Sequence, residues 1–184
     1  GNAMFERVFA SVPRDGESTF SFSGGLEPLT NPGFGELVRS AKRYGVKVPL
    51  ITNGFMLSPH YLARQEGLWD LDSLRVSLYG VDDATYYRVT KVKGAYQQVK
   101  QNLTEFLRLR NEKRPALRVG LNFIVLQECT DQVLRVLDLI TEINVAVGNG
   151  RGVDFLTLRE DFSVPESEGL SPEGSPAKLF LSII

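Results

Sequence analysis

The chain has 184 residues, 42% of them hydrophobic and 23% charged, and its formal net charge is −1 at pH 7. These values are typical of one globular domain, and they provide no basic excess for binding nucleic acid or an anionic membrane. No apolar run in the sequence is long enough to span a bilayer.

Strands and helices alternate along the predicted fold. In chain order the segments are a strand over 18–24, a helix over 34–45, a strand over 46–54, a helix over 58–67, a strand over 73–80, helices over 82–89 and 95–113, a strand over 116–127, a helix over 130–144 and a strand over 152–161. This alternation predicts parallel strands joined by right-handed helical crossovers. The fold class is therefore α/β.

Capping signals mark where several of these helices begin. Ser58 and Pro59 provide a cap and a first helical residue, and Asp82 and Asp83 place acids where a helix begins. Thr130 is the predicted cap of the last helix. Each predicted helix start also indicates where the preceding strand must have ended.

Polar or small residues follow or end each predicted strand. The first strand is followed by Gly24, Gly25 and Glu27, with the apolar Leu26 between them, and the later strands carry Thr52 and Asn53, then Ser77, then Asn122, then Thr157 and Arg159. The carboxyl ends of parallel strands meet at one edge of the sheet, where ligands of α/β proteins bind. One ligand could therefore contact all five strand ends.

Each residue also has a purely structural interpretation. The glycine pair can form a tight turn, and Asn53–Gly54 can form a hairpin, although the capped helix that follows argues against one. Ser77 can be an ordinary strand-end hydroxyl, Asn122 a core residue bonded to backbone, and Arg159 part of a solvated edge. Their common position along the fold favours a binding site.

Three motifs in order, "SGGLEP", "ITNG" and "VSLYG", resemble the radical S-adenosylmethionine (SAM) enzymes. The core of that family is a partial (β/α)6 barrel. Its strands typically end in Gly-Gly-Glu-Pro and Thr-Asn-Gly, and a later strand carries Ser-Leu before a glycine. The resemblance runs from about Thr19 to Arg159 and implies a parallel, partial TIM barrel.

The resemblance implies that the strand ends bind SAM. Backbone carbonyls of the first strand end, together with the Glu27 carboxylate, would hold the cationic amino group. The implied cofactor-binding residues are Gly24, Gly25, Leu26, Glu27, Thr52, Asn53, Ser77, Asn122 and Arg159. The last two would reach the ribose or the carboxylate of SAM. No residue is assigned a catalytic role.

The chain departs from the family pattern in its cysteines. The family's Cys-x3-Cys-x2-Cys loop supplies three thiolates to a 4Fe–4S cluster, whose electron cleaves SAM to a 5′-deoxyadenosyl radical. This chain has one cysteine, Cys129, far from the expected loop position. We therefore expect an incomplete barrel without the first strand and cluster loop, and neither cofactor bound tightly by this chain alone. A single cysteine also favours a reducing, cytoplasmic setting.

The expected boundaries follow from the same comparison. Residues 1–3 resemble the remnant of a cleaved expression tag, residues 4–161 form the truncated core, and residues 162–184 form a loop or tail. A barrel that lacks its first strand exposes the edge of the strand over 18–24. Exposed edges pair with other chains, so a homodimer through this edge is predicted.

Within the family, "SGGLEPLTNP", "SLYG" and "LRED" resemble the aminosugar deaminases of the TDP-4-amino-4,6-dideoxyglucose ammonia-lyase type, from antibiotic sugar pathways. A small nucleotide-linked aminosugar is the implied substrate. Two alternatives stay open. One is a non-catalytic SAM- or nucleotide-binding module, and the other is an unrelated barrel enzyme with a phosphate-binding loop over 147–154.

Overall fold

The structure is a computed structural model that describes residues 2–22 and 25–160. Its helices are Asn2–Ser11 (α1), Phe34–Arg43 (α2), Pro59–Arg64 (α3), Asp83–Thr90 (α4), Ala95–Lys113 (α5) and Arg135–Val147 (α6). Its strands are Pro49–Thr52 (β1), Ser73–Leu78 (β2), Arg118–Val125 (β3) and Phe155–Glu160 (β4). Short 3-10 segments cover Pro28–Thr30, Glu66–Asp70 and Gln127–Gln132. None of the helices in these described ranges has the length and apolarity needed to cross a membrane.

The four strands form one parallel sheet in the order β1-β2-β3-β4. Thr52 pairs with Val76, and Ser77 pairs with Asn122, which in turn pairs with Thr157. Strands that are neighbours in the sheet are therefore consecutive in the chain, as expected when all the helical crossovers have the same handedness. The predicted α/β class and the parallel sheet are confirmed.

The predicted strand over 18–24 is present in part. Two isolated parallel bridges, Thr19 to Lys47 and Phe22 to Leu50, join it to the segment that enters β1. The Phe20 amide donates to the Lys47 carbonyl at 2.8 Å. Because these bridges are isolated, the segment does not form a continuous ladder, and within the described residues it is paired on one side only. Gly24, its predicted last residue, lies outside the described residues, as do residues 161–184.

The structure confirms the predicted Ser58 cap and the predicted helix start at Asp82 and Asp83, where Asp82 is itself the cap. The Ser58 hydroxyl accepts the Tyr61 amide at 3.3 Å, and the Asp82 carboxylate accepts the Thr85 amide at 2.8 Å. The Thr130 cap is wrong, because Thr130 lies inside the 3-10 segment and α6 begins at Arg135.

The Gln132 side chain explains why the last helix begins late. Its carbonyl accepts the Val81 amide at 2.7 Å, and its amide donates to Asp82 at 2.7 Å and to Thr85 at 2.8 Å. These bonds tie the end of the 3-10 segment to the start of α4. The tertiary contact therefore overrides the local helix signal.

The helices cover the sheet with continuous apolar faces. Leu37, Val38 and Ala41 of α2 are buried, and Leu103 and Phe106 of α5 are buried as well. Burying a leucine, valine or phenylalanine side chain stabilises the fold by roughly 1.5–3 kcal/mol. This packing fixes α2 and α5 against the strands whose ends carry the polar residues.

A fully buried arginine joins the amino ends of β3 and β4. Arg110 of α5 is 0% exposed and donates to Asp154 at 2.9 Å and to the Leu117 carbonyl at 2.8 Å. It also donates to the carbonyls of Arg151 and Gly152 at 2.6 and 2.8 Å. A buried charge needs this degree of compensation.

The Asp154 carboxylate is part of the same network. It accepts the Val119 amide at 2.7 Å and pairs with Arg151 at 2.7 Å. Burial by itself raises its pKa, but the Val119 bond, the Arg151 bond and the Arg110 charge outweigh burial, so that the pKa of Asp154 lies below its ordinary value. The ionised form is thereby stabilised in the folded state.

The Asp154→Asn variant should be less stable by about 3–5 kcal/mol at pH 7, because it leaves the Arg110 charge buried without a carboxylate. The folded-state pKa of Asp154 is depressed, so its contribution is present above the unfolded value of 3.8 and is lost as pH falls through the folded value. Urea unfolding from pH 7 to pH 3 should therefore show a shallower loss of stability in the variant.

Glu105→Gln provides the matched control. Glu105 pairs with Arg108 on the exposed side of α5, and exposed pairs contribute about 0–1 kcal/mol. If the Asp154 variant unfolded like this control at every pH, the proposed contribution of the buried pair would be wrong.

Candidate functional site

A row of polar side chains crosses the sheet near its carboxyl edge. Ser77, Asn122 and Thr157 are paired in register, and directly paired residues present their side chains on the same face. Ser77 and Asn122 are 5% and 3% exposed. Neither side chain makes a hydrogen bond within the part of the chain that the structure describes. Polar groups so placed are available to a ligand.

Glu27 joins the first strand end to the end of β1. One carboxylate oxygen accepts the Thr52 hydroxyl at 2.7 Å and the Leu29 amide at 3.2 Å, and the other accepts the Asn53 amide at 2.8 Å. The carboxylate therefore caps the 3-10 segment and fixes the Thr-Asn-Gly turn. The structure brings these three predicted residues together.

The Thr-Asn-Gly turn is held by its own side chains. The Thr52 hydroxyl accepts the Gly54 amide at 3.1 Å, and the Asn53 side-chain carbonyl accepts the Phe55 amide at 2.9 Å. Gly54 has a φ of +76°, and a Cβ there would collide with Val76. The glycine is required by the turn and by close packing.

The remaining predicted residues lie at or beyond this edge. Gly25 has a φ of +66° in open space, and the Leu26 side chain is 87% exposed. Leu26, which is an extra residue relative to the family's Gly-Gly-Glu-Pro pattern, therefore points to solvent, while Glu27 still reaches Asn53. Arg159 is exposed, and the alternation of β4 places it on the same face as Thr157, two residues further along. Gly24 falls in the undescribed gap.

A cavity of about 510 Å³ opens beside Glu27, between the loop after β1 and the α4 region. Its lining residues are Glu27, Thr30, Asn53, Phe55, Met56, Tyr79, Tyr86, Val89, Thr90, Val92, Ala95 and Val99. Burial and the Glu27 charge raise the pKa of Tyr79, which therefore remains a hydrogen-bond donor at neutral pH. Ser77, Asn122 and Arg159 do not line this cavity.

Sequence reasoning missed several residues that position the site. Asn102 of α5 donates to the carbonyls of Gly54 and Phe55 at 3.1 and 2.8 Å. Tyr86 lines the cavity, and Gln132 holds α4 in place. Their roles depend on partners far along the chain, which local patterns do not reveal.

The glycine-rich loop over 147–154 is a structural connection. It joins α6 to β4 at the opposite end of the sheet from the polar row. Its Arg151 and Gly152 carbonyls accept hydrogen bonds from Arg110. This arrangement gives no support to the phosphate-binding interpretation.

The donor set of this chain fits part of the family's cofactor requirement. The rim offers carbonyl, amide, hydroxyl and carboxylate groups to an amino acid and a ribose, as SAM requires. The cluster needs three thiolates, and the sequence has one cysteine. Cys129 is buried after β3, where its thiol donates to the Ile124 carbonyl at 3.3 Å. In the ranges that the structure describes, no three His, Cys, Asp or Glu side chains converge on a possible metal site. These residues do not fit the cluster.

The family comparison agrees with the strand-end motifs. The Radical SAM superfamily model matches residues 3–140. The chain belongs to the radical SAM superfamily. It is also 41% identical over 179 residues to dTDP-4-amino-4,6-dideoxy-D-glucose ammonia-lyase of Streptomyces venezuelae, covering 97% of this chain and 36% of that protein. The chain therefore spans about a third of the length of this curated relative.

Solved structures share the fold of the radical SAM chain. Streptococcus suis SuiB bound to S-adenosylmethionine superposes with a TM-score of 0.64 at 14% identity, over 91% of this chain and 35% of SuiB. TYW1 with a lysine–pyruvate adduct bound gives a TM-score of 0.59 at 18% identity, over 91% of this chain and 54% of TYW1. At such low identity these likenesses show the fold alone, here a partial TIM-barrel fragment.

Glu27→Gln should destabilise the fold by about 1.5–3 kcal/mol, because the amide replaces one acceptor oxygen with a donor that faces another donor. Glu17→Gln is the control, since Glu17 is exposed and pairs with Lys47 at the surface. Urea unfolding of both variants measures the difference. Equal stability of the two variants would contradict the bridging role of Glu27.

Proposed function

We propose that this chain is the SAM-binding core of a radical SAM enzyme. The observation that carries the proposal is the row formed by Ser77 and Asn122, two buried polar side chains at one level of the sheet with no hydrogen bond inside the described protein. Glu27 holds the neighbouring strand end in a fixed position. A small ligand with several polar groups would bond to these two side chains and contact the strand end that Glu27 fixes.

The rim residues divide among the parts of SAM. Carbonyls of Gly24, Gly25 and Leu26, with the Glu27 carboxylate, receive the amino group. Ser77, near Thr52 and Asn53 at the same edge, and Asn122 face the ribose and methionine parts. Arg159 supplies a guanidinium that can pair with the SAM carboxylate. The Asn122→Ala variant described below tests the assignment of the polar row.

The proposed reaction class is loss of ammonia from a nucleotide-linked aminosugar in the biosynthesis of a natural product. The identity of 41% to an ammonia-lyase whose name specifies such a sugar supports this class. The proposed setting is the cytoplasm, with a small molecule rather than nucleic acid as partner. Since the chain covers 36% of that relative, the whole activity belongs to a longer protein.

A second candidate function is a non-catalytic module that binds SAM or a nucleotide. The residues present favour it for this chain taken alone, because they include one cysteine where the family's cluster needs three thiolates. Both candidates predict that the isolated chain releases no 5′-deoxyadenosine. They differ in whether these residues support SAM cleavage when the rest of an enzyme is supplied.

A chimera separates the two functions. This chain would replace the matching 36% of the Streptomyces venezuelae ammonia-lyase, with the rest of that protein unchanged. After anaerobic reconstitution we expect about four bound irons per chimera and release of 5′-deoxyadenosine from SAM. Asn122→Ala in the chimera should lower SAM cleavage at least tenfold, since it removes a proposed cofactor contact.

Thr141→Ala in the same chimera is the control, because Thr141 is exposed on α6 and bonds only to its own helix. A folded chimera that binds iron but releases no 5′-deoxyadenosine would overturn the enzyme proposal and favour the binding module. An Asn122 variant as active as the Thr141 variant would overturn the assignment of the polar row.

We also propose a homodimer through the sheet edge over 18–22. Phe20 and Phe22 donate to Lys47 and Pro49, so the backbone groups of Thr19 and Ser21 face the other side, where the described residues place no strand. Light scattering should show a dimer in solution, and Ser21→Pro, which removes an edge amide, should give a monomer. A monomeric unmodified chain at its highest soluble concentration would contradict the proposal.

A further inference from the structure

The polar row lies on the face of the sheet that turns away from the apolar core, here called the inner face. Leu74 and Val76 of β2 are buried in that core, so the alternation of side chains places Arg75, which lies between them, on the inner face. In the register of the sheet, Arg75, Gly120 and Phe155 form a second row, two residues before the polar row. The proposed contacts to SAM do not use this second row, and none of its residues lines the cavity beside Glu27.

The Phe155 ring brings two guanidinium groups together. It lies against Gly120, where a Cβ would approach the ring carbons to 2.3 Å, so the glycine provides the space for the ring. The guanidinium carbons of Arg75 and Arg118 lie 5.4 and 5.1 Å from the centroid of this ring. Both cations are therefore within reach of one small ligand.

Neither guanidinium has an acceptor of its own. Within the described residues, Arg75 and Arg118 make no hydrogen bond and no ion pair. Arg75 is partly buried, and its Nε is enclosed without a partner, whereas its two terminal nitrogens stay accessible. Arg118 is exposed. A partly desolvated cation attracts an anion strongly, because less water screens its charge. The accessible nitrogens are the ones that a ligand would contact.

The strands around this pair supply no negative charge to it. Among the residues that alternation assigns to the inner face in the four described strands, none is acidic and three are arginines. The acids that precede β2 and β4 are used elsewhere, since Asp72 pairs with Lys42 at 2.8 Å and Asp154 pairs with Arg110 at 2.9 Å. The described strands therefore leave the positive charge of the inner face uncompensated.

Phosphate oxygens match these two cations well. A guanidinium is planar and binds a phosphate group through two parallel hydrogen bonds. Two guanidiniums offset the two negative charges of a diphosphate that links a nucleoside to a sugar. A single carboxylate would leave one of the two arginines without a counterion. The pair therefore favours a diphosphate.

We propose that Arg75 and Arg118 bind the diphosphate of a nucleotide-linked substrate. The nucleotide-linked class rests on the proposed function, whereas the site rests on the two unpaired arginines and the charge of the inner face. Residues two apart along a strand are separated by about 7 Å, so the second row lies roughly one sugar ring from the polar row. A sugar that contacts SAM at the polar row would thus bring its diphosphate, which is attached directly to the ring, to the arginines.

The arginine side chains can report binding directly. The full chain is labelled with ¹⁵N-arginine, and the Nε signals of Arg75 and Arg118 are assigned with the variants Arg75→Lys and Arg118→Lys. Thymidine diphosphate, added without SAM or iron, should shift both signals to saturation. Thymidine, which lacks the charge, should shift neither. Added salt should weaken the binding of thymidine diphosphate, because salt screens the attraction between exposed charges.

Glutamine variants test the charge at each position. Arg75→Gln and Arg118→Gln should each weaken binding of thymidine diphosphate about tenfold, the effect of one charge-assisted hydrogen bond. Their thermal unfolding midpoints should change little, because neither side chain has a hydrogen bond to lose within the described residues. Arg118 is exposed at the start of β3, so its variant provides the test even if Arg75→Gln does not fold.

Arg39→Gln is the matched control. It removes the same charge from an exposed position on α2, where Arg39 lies 3.7 Å from Glu66 and 3.8 Å from Asp70. This variant should bind thymidine diphosphate normally. If it bound as weakly as the Arg75 and Arg118 variants, the affinity would reflect net charge alone, and the proposed site would be wrong.

The outcomes are distinct from those of the chimera experiment. Unmoved Arg75 and Arg118 signals would overturn the diphosphate site even if the chimera cleaves SAM. Succinate serves as a dicarboxylate probe, and if it shifts both signals as strongly as thymidine diphosphate does, the arginines bind carboxylates and the proposal is also overturned. Binding that depends on both arginines supports the site even if the chimera is inactive.

Discussion

The buried pair of Arg110 and Asp154 determines how β4 is aligned with β3. The Asp154 carboxylate accepts the Val119 amide, and the Asp154 amide donates to the Val119 carbonyl, so the amino ends of the two strands are held in one register. Side chains alternate between faces along a strand, and a slip of one residue would move Thr157 to the other face. The polar row at the carboxyl edge therefore depends on a charge pair at the amino edge. Because Arg110 is fully buried, an error in register would leave its charge uncompensated, which makes the correct alignment strongly favoured.

Glu27 performs a corresponding task at the carboxyl edge. It lies in a connection where backbone groups have few hydrogen-bond partners. Its carboxylate is the acceptor for the backbone amides of Leu29 and Asn53. Together with Asn102, which ties the same turn to α5, it converts a loop into a rigid support. Binding sites on loops gain precision from such contacts, since fewer conformations must be ordered when the ligand arrives.

The sequence predicts those features that depend on neighbouring residues. Alternating strands and helices, the Ser58 cap and the helix start at Asp82 and Asp83 follow from patterns a few residues long, and the structure confirms them. Thr130 fails as a cap because Gln132 bonds to residues about fifty positions earlier, and no local pattern contains that information. The motif resemblance places Glu27 near Asn53, as the structure does, but the support that Asn102 gives the same turn becomes visible only when residues far along the chain are brought together. The proposed contacts to SAM remain predictions.

The position of Glu27 limits what the proposed SAM site can offer an ammonium group. A carboxylate has about four acceptor positions, and three of those on Glu27 are used by Thr52, Leu29 and Asn53. An amino group bound there must therefore take its other acceptors from backbone carbonyls. The positive φ of Gly25 suits this arrangement, because it turns the chain sharply just before Glu27 and leaves that turn open to solvent on the side of the exposed Leu26. In the proposed site, a glycine turn and a fixed carboxylate would thus supply one ammonium group with two kinds of acceptor.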